Sequence, residues 1–255
     1  MSDLLPASSP VAKLLLDKGF NPSGQDLRKS EALLWAAEYG PADIVQLLVD
    51  EGADVDAKEP VFGFTTLQLA AKRGACDIVT ILTRANARVA EPNKEGYAAI
   101  HVAAGWGQCD AIRLLLTLGA EVSCKGPGER TSLHSAARYG QCDAIQLLLD
   151  SQADIACGDD IGQTPIHYAC YNGHLKAVQL LVKLGSDINW RSQQGITPLH
   201  VAASQARRDI LYVYSLSVIQ LIRAVNGLNS CWDSVLLIHS YETISRLRLS
   251  LFRGC

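Results

Sequence analysis

A short sequence motif, the repeated phrase, recurs along this chain at an almost constant step of 33 residues. Its pair of small residues ends in turn at Ala37, Ala71, Ala104, Ala137, Cys170 and Ala203, with a first step of 34 and four steps of 33. A repeat of this length is one supersecondary unit that cannot bury its apolar face alone, so successive units must stack. The spacing therefore predicts an elongated solenoid whose units contact only their neighbours.

The wording of the phrase narrows the type of solenoid. Its clearest copies read Thr65-Thr-Leu-Gln-Leu-Ala-Ala71, Thr131-Ser-Leu-His-Ser-Ala-Ala137, Thr164-Pro-Ile-His-Tyr-Ala-Cys170 and Thr197-Pro-Leu-His-Val-Ala-Ala203. This wording and the 33-residue step resemble the ankyrin repeat. The resemblance implies an all-α solenoid of helix-turn-helix units that are linked by β-fingers.

Residues 131–163 show why each unit should fold. Thr131 is expected to cap a short first helix, which ends at Gly140 because glycine adopts a positive φ without strain. Asp143 is expected to cap a second helix with an apolar stripe. That stripe is predicted to comprise Ile145, Leu147, Leu148 and Leu149.

The pattern divides the chain into three parts. Residues 1–30 read as an N-terminal half-repeat cap, and residues 31–203 as an array of about five full repeats plus the start of a sixth. Residues 204–255 form a divergent C-terminal tail that is poorly specified, either helical or disordered. Three interpretations of the tail stay open: an unusual cap, a binding tail, or sequence that selection never shaped, with the third favoured.

Charge and hydropathy exclude two classes of function. A net charge of −3 argues against a nucleic-acid binder that works by neutralising phosphates. The uncharged run of residues 210–222 is shorter than the roughly 20 apolar residues of a membrane span. We therefore expect no nucleic-acid partner and no membrane span, and we expect the chain to be a monomer.

The cysteines indicate a reducing compartment. Eight cysteines without a charged-then-apolar signal segment favour free thiols in the cytoplasm, the nucleus or both. Cys76, Cys109 and Cys142 share one repeat position, where a small buried apolar residue is expected. Cys124 and Cys157 share a finger position, and we expect thiol reagents to reach them first.

The histidines are better explained by structure than by catalysis. His101, His134, His167 and His200 all occupy the same place in the repeated phrase. The ankyrin resemblance implies that each ties a turn to a helix start by a hydrogen bond. Because no nucleophile, phosphate loop or metal-ligand motif accompanies them, we predict no catalytic residue, no metal and no cofactor.

The candidate functional residues lie on the side of the first helices that ankyrin-like proteins turn towards partners, or directly before the repeated phrase, as do Phe64, Tyr97 and Arg130. Tyr, Trp and Arg dominate binding hot spots, and several recur there in register. The predicted partner-binding set is Tyr39, Phe64, Lys72, Arg73, Tyr97, Trp106, Arg130, Arg138, Tyr139 and Tyr171. Trp106 and Tyr139 are its expected centre, while packing between repeats is the alternative for Tyr97 and Phe64.

Two further features concern the loops. Acidic residues of the fingers are expected to steer basic partners: Glu59, Glu91, Glu95, Asp159 and Asp160. Leu181, Asp187 and Ile188 precede Asn189 at the spacing of ankyrin-loop asparagines that resemble hydroxylase substrates. The resemblance thus makes Asn189 a candidate for hydroxylation.

These observations favour a non-enzymatic scaffold or adaptor that recognises a protein partner through its concave helix and finger face. The alternative is a regulatory or substrate-recognition fragment of a larger enzyme, such as a ubiquitin ligase, kinase or acyltransferase, whose catalytic part is absent. A purely structural ankyrin array is a third interpretation. The sequence names neither partner nor pathway.

Overall fold

The computed structural model describes residues 4–5, 14–15, 17 and 27–211, and within them the chain is a stack of helical pairs. Two short strands, β1 (Leu4–Leu5) and β2 (Leu27–Arg28), pair antiparallel before the array begins. The first helices of the repeats are α1 (Lys29–Tyr39), α3 (Thr66–Arg73), α5 (Ala99–Gly105), α7 (Ser132–Arg138), α9 (Pro165–Asn172) and α11 (Pro198–Ser204). The second helices are α2 (Ala42–Asp50), α4 (Cys76–Arg84), α6 (Cys109–Thr117), α8 (Cys142–Asp150) and α10 (Leu175–Lys183). The predicted all-α repeat solenoid is confirmed.

Threonine begins the first helices as the sequence predicts. Thr65 is the N-cap of α3, and its hydroxyl accepts a hydrogen bond from the amide of Gln68 at 3.2 Å. Pro165 and Pro198 occupy the first position of α9 and α11, where no amide donor is missed. These caps satisfy the free amides that every helix start would otherwise expose.

The hydrophobic core extends along the array from repeat to repeat. Alanine pairs on the first helices, such as Ala70-Ala71 and Ala136-Ala137, are fully buried. Their small side chains let neighbouring first helices pack closely, and successive first helices make the most extensive contacts of the array. The period of the sequence therefore reflects one buried contact that is made again in every repeat.

The second helices bury a narrower stripe than the sequence suggested. In α8, Ala144, Ile145 and Leu148 are fully buried, whereas Leu147 and Leu149 are only half-buried. The expected cap at Asp143 is wrong, because Gln141 holds the N-cap position and Asp143 lies in the first turn. An acidic residue there still interacts favourably with the positive end of the helix dipole.

The fingers between repeats are tight turns with little regular strand. The amide of Asp159 donates to the carbonyl of Gln163 at 2.9 Å, and Asn93 and Tyr97 close the corresponding finger at 3.0 Å. One isolated bridge, between Lys58 and Thr65, is the only strand pairing assigned to the fingers of residues 27–211. The fingers are thus held by turn hydrogen bonds.

A side chain from each of several repeats reaches back to the preceding one. Gln108 donates to the carbonyl of Lys72 at 3.1 Å, and Gln141 donates to that of Gly105 at 3.3 Å. His174 Nε2 lies 2.9 Å from the carbonyl oxygen of Arg138. Since these carbonyls end first helices, the contacts satisfy groups that the helices leave unpaired.

The end of the described array lies in the sixth repeat. Arg207 donates to the carbonyl of Tyr171 at 3.2 Å, and Ile210 is buried at the start of a helix over residues 208–211. Most of the sequence-based tail, residues 212–255, lies outside the described residues, as does most of the N-terminal half-repeat cap. The interpretations of the tail therefore stay predictions.

Candidate partner-binding groove

A groove of about 360 Å³ lies where first helices α5 and α7 face the neighbouring fingers. We call it the aromatic groove because four rings line it. The predicted site residues in its lining are Phe64, Tyr97, Trp106, Arg138 and Tyr139. The structure thus brings together five of the ten residues that the sequence singled out.

Trp106 is held at the rim by its neighbour in the preceding repeat. It follows α5 directly and keeps 57 % of its surface exposed. The ammonium of Lys72 lies 5.1 Å from the centroid of the indole, within the range of a cation–π contact. Lys72 also pairs with Glu38 at 2.8 Å, so one chain of contacts crosses three repeats.

Tyr139 occupies the equivalent place one repeat later. It is also 57 % exposed, and the guanidinium of Arg138 lies 5.7 Å from its ring centroid. A Cβ added to Gly105 would come within 3.2 Å of the Tyr139 ring. Gly105 therefore gives the ring the room to lie against helix α5.

The finger side of the groove is joined to the array by a hydrogen bond and a ring contact. Tyr97 and Phe64 are half-buried, and the Tyr97 hydroxyl accepts a hydrogen bond from Arg130 at 3.3 Å. Arg130 also lies 5.9 Å from the ring of Tyr168. These contacts give Arg130 and Tyr97 a packing role within the array as well as a place beside the groove.

The remaining predicted residues lie outside the groove. Tyr39 and Tyr171 keep 65 % and 54 % of their surface exposed at the corresponding position of other repeats. Arg73 donates to the carbonyl of Gly40 at 2.6 Å. The exposed aromatic residues therefore form a row along the first helices, with the groove in the middle.

Most of the finger acids are used by the fold itself. Glu59 accepts hydrogen bonds from its own finger, including one from the Val61 amide at 2.7 Å, and Glu91 pairs with Lys58 at 2.6 Å. Asp159 is buried and accepts from Gln163 and Tyr168 at 2.7 Å each. Glu95 and Asp160 are exposed and make no ion pair within residues 27–211, and for them the steering of a basic partner stays a prediction.

Three of the four recurring histidines are structural links between repeats. Each of His101, His134 and His167 accepts a backbone amide at Nδ1, so its Nε2–H donates to a carbonyl of the next finger. Burial lowers the pKa of all three, that of His134 to about 4. They are thus neutral and fully engaged at pH 7, which leaves neither nitrogen for acid–base chemistry.

The expected burial of the repeated cysteines is wrong. Cys76, Cys109 and Cys142 are half-buried because they open the second helices at the surface of the stack. Cys157, from a finger, lies deeper, with its Sγ 3.5 Å from the Thr131 hydroxyl. The expected order of reaction with thiol reagents is therefore reversed for Cys157.

A family model confirms the nature of the repeat. Three copies of the model for ankyrin repeats match residues 33–126, 67–159 and 133–213. The chain belongs to the ankyrin-repeat family. Ankyrin repeats are in general protein–protein interaction modules and are typically non-catalytic.

Two curated relatives share short stretches of these repeats. A glycerophosphocholine phosphodiesterase, gde1, of Schizosaccharomyces pombe is 32 % identical over 87 residues, which cover 34 % of this chain and 8 % of that protein. Ankyrin repeat and SAM domain-containing protein 6 of Mus musculus is 42 % identical over 65 residues, or 26 % of this chain and 7 % of that protein. The chain thus matches less than a tenth of the length of either relative.

The candidate hydroxylation site lies in an ankyrin loop. Asn189 is exposed, and its amide donates to the Asp187 carboxylate at 2.8 Å. Leu181, which contributes to the same pattern, is buried in α10. An enzyme could therefore reach Asn189, and its modification stays a prediction.

Asn93 and Val102 are among the residues of the aromatic groove that sequence reasoning missed. Asn93 is buried, and its Nδ2 atom has no hydrogen-bond partner in the described part of the chain. A comparison of equivalent repeat positions could have found both, because Val102 stands where a later repeat has Tyr168.

The described residues contain neither a cluster of metal ligands nor a helix that could span a membrane. No group of three or more His, Cys, Asp or Glu side chains there could hold a metal ion. Likewise, no helix among them has the length and apolar character to cross a bilayer.

Proposed function

We propose that this chain is an interaction scaffold that binds a protein partner through the concave side of its ankyrin array. The observation that carries the proposal is the pair Trp106 and Tyr139, which are each 57 % exposed in successive repeats and border one groove. Large exposed aromatic residues in register are typical of binding hot spots.

The mechanism is preorganisation. Contacts such as Gln141 to Gly105 and His134 to Gln163 join each repeat to its neighbour before any partner arrives. Lys72 and Arg138 already lie beside the rings of Trp106 and Tyr139. Because the side chains are ordered in advance, binding loses less conformational entropy than it would on a mobile surface.

The charge of the array and its free cysteines indicate the kind of partner and the compartment that we propose. The array has more acidic than basic residues, and Glu95 and Asp160 project from its fingers, which favours a protein with basic groups around its contact surface. We propose that the chain acts as a monomer without nucleic acid. Its free cysteines favour the cytoplasm or the nucleus.

A capture experiment tests the proposal. Proteins retained from a cell extract by the wild-type chain are compared with those retained by the double variant Trp106→Ala, Tyr139→Ala. Leu47→Ala, Leu118→Ala is the matched control, because both leucines are exposed, Leu47 on second helix α2 and Leu118 directly after second helix α6. The proposal predicts a partner that the control retains and the first variant loses. A partner lost only by the control would overturn it.

A second candidate function is a regulatory or substrate-recognition module within a larger enzyme. The observation that favours it is the match to 8 % of gde1, which is named as a phosphodiesterase. The aromatic groove would then bind another part of the same protein. A transcript that extends this reading frame into a catalytic domain would support this candidate over a separate adaptor.

A further inference from the structure

In one repeat, a tyrosine of the first helix donates a hydrogen bond to a carboxylate of the preceding finger. The hydroxyl of Tyr168, on α9, donates to Oδ2 of the buried Asp159 at 2.7 Å. The ring of Tyr168 packs edge-on against His134 with centroids 5.5 Å apart. In this repeat, a tyrosine therefore fills the space between finger and helix.

The equivalent pair two repeats earlier is incomplete. Asn93 and Val102 each lie 66 residues before Asp159 and Tyr168. Oδ1 of Asn93 accepts from the Tyr97 amide at 2.9 Å, just as Oδ1 of Asp159 accepts from the Gln163 amide. Nδ2 of Asn93 consequently corresponds to the Oδ2 atom that receives the Tyr168 hydroxyl.

That nitrogen is buried and unsatisfied. Asn93 is only 5 % exposed, and its Nδ2 has no partner among the described residues because Val102 carries no polar atom. A buried donor without a hydrogen bond is a costly feature that native structures seldom keep. Val102 and the small Ser135 also line the aromatic groove, so the missing ring leaves open space.

The charges around this space have both signs, so they give no net preference for a cation or an anion. Lys72 and Arg138 lie beside the rings of Trp106 and Tyr139, and a second cation there would meet like charge. Glu95 lines the finger side and would repel an anion in the same way. An uncharged side chain avoids both repulsions.

We propose that the aromatic groove receives a tyrosine-like side chain of the protein partner, whose phenol oxygen accepts a hydrogen bond from Asn93 Nδ2. The partner's ring would take the place that Tyr168 fills in the later repeat. Edge-to-face contacts with Trp106 and Tyr139 would hold it, since aromatic pairs favour such geometry. This inference rests on the proposed function and defines the chemistry of its partner.

A repeat-matched pair of variants tests the placement. Val102→Tyr supplies from within the chain the ring that we assign to the partner. Val201→Tyr is the control because it changes the same residue type at the same repeat position, three repeats later and outside the groove. The probe is N-acetyl-tyrosinamide, and binding is read from NMR shifts of the Trp106 indole N–H and the Asn93 side-chain amide.

We expect the probe to bind wild type and Val201→Tyr alike, and Val102→Tyr at least tenfold more weakly. N-acetyl-leucinamide and N-acetyl-lysinamide should bind the wild type more weakly than the tyrosine probe. Equal binding to Val102→Tyr, or preference for the lysine probe, would overturn the inference. No shift at Trp106 or Asn93 with any probe would do so as well.

A second variant keeps the test valid if Val102→Tyr fails to fold. Asn93→Asp has nearly the same shape but replaces the donor with an acceptor. N-acetyl-O-methyl-tyrosinamide, which can only accept at its ring oxygen, should bind wild type and lose at least tenfold on this variant. N-acetyl-tyrosinamide can donate its hydroxyl and should lose less. Equal losses for the two probes would contradict a hydrogen bond at Asn93.

The two proposals fail in different ways. If the tyrosine probes do not bind, but Trp106→Ala, Tyr139→Ala still abolishes partner capture, only the inference about the aromatic side chain is wrong. If capture is insensitive to that double variant, the proposed function itself is wrong, whatever the probes do.

Discussion

The Nε2 atom of His134 lies 3.1 Å from the carbonyl oxygen of Gln163, and this contact links one repeat to the next. Gln68 makes the equivalent link earlier in the array, since its side chain accepts from the Thr65 amide and donates to the Tyr97 carbonyl at 2.9 Å. Two residue types with the same donor and acceptor spacing thus perform one structural task.

This equivalence predicts how His134 affects stability against acid. Burial lowers the pKa of His134 to about 4, whereas the pKa of a histidine in the unfolded chain is near 6.5. The neutral side chain therefore contributes its full stabilisation of the fold at pH values above about 6.5. That contribution, up to about 3 kcal/mol, should be lost as the pH falls from 6.5 to 4. His134→Gln should keep the stability at pH 7 and flatten this part of the pH profile.

The measurement is urea unfolding at several pH values. His134→Ala is the control because it removes the link and should cost about 1–3 kcal/mol at pH 7. A His134→Gln protein with the same acid sensitivity as the wild type would show that other groups control the loss.

Alanine substitutions at two glycines can separate the effect of backbone strain on stability from the effect of steric crowding. Gly119 and Gly140 both have a positive φ, of 90° and 70° respectively. A Cβ added to Gly119 would contact no neighbouring atom within 4 Å, whereas a Cβ added to Gly140 would lie 2.7 Å from the His174 ring. We expect Gly119→Ala to cost about 1 kcal/mol from the backbone alone. Gly140→Ala should cost more and weaken the contact of His174 with Arg138, which thermal unfolding of both variants can measure. Equal losses would mean that the His174 ring moves aside freely.

The cysteines predict a chemical fingerprint of the native array. Cys109 and Cys142 open second helices and are half-buried, whereas Cys157 packs against Thr131 and Cys170 is fully buried. Under native conditions, thiol reagents should modify Cys109 and Cys142 before Cys157, and Cys170 last. Mass spectrometry of peptides at successive times measures the order, and faster labelling of Cys157 would contradict the finger geometry.

The last described repeat predicts where the folded array can be shortened. Ile210 is buried and Arg207 donates to the Tyr171 carbonyl, so a chain that ends at residue 203 loses both contacts. A chain that ends at residue 211 keeps them and should unfold at a higher urea concentration. If the two chains unfolded alike, residues 204–211 would contribute nothing to the stack.

The sequence predicted the fold well because each repeat encodes the same local events. Thr65 begins a helix, the Ala70-Ala71 pair lets helices pack closely, and Gly74 ends the helix at a positive φ of 77°. These events depend on residues close in the chain, and the 33-residue step repeats them. The fold and the threonine caps of the first helices could therefore be predicted with little information about distant contacts.

The candidate site was harder to predict because it depends on differences between repeats. Exposure of Trp106 and Tyr139 followed from their repeat position, but the groove exists because Val102 and Ser135 are small where Tyr168 is large. The prediction that the repeated cysteines are buried was wrong for a related reason. Cys76 was judged by its small apolar character, whereas its exposure depends on where helix α4 begins.

Footprinting of the bound complex tests the central claim most directly. Hydroxyl radicals modify exposed aromatic and aliphatic side chains, and the extent of modification is compared with and without the captured partner. We predict that Trp106 and Tyr139 become protected, while Leu47 on helix α2 and Leu118 directly after helix α6 stay as reactive as in the free chain. Protection of Leu47 and Leu118 with unchanged Trp106 and Tyr139 would contradict binding through the concave face.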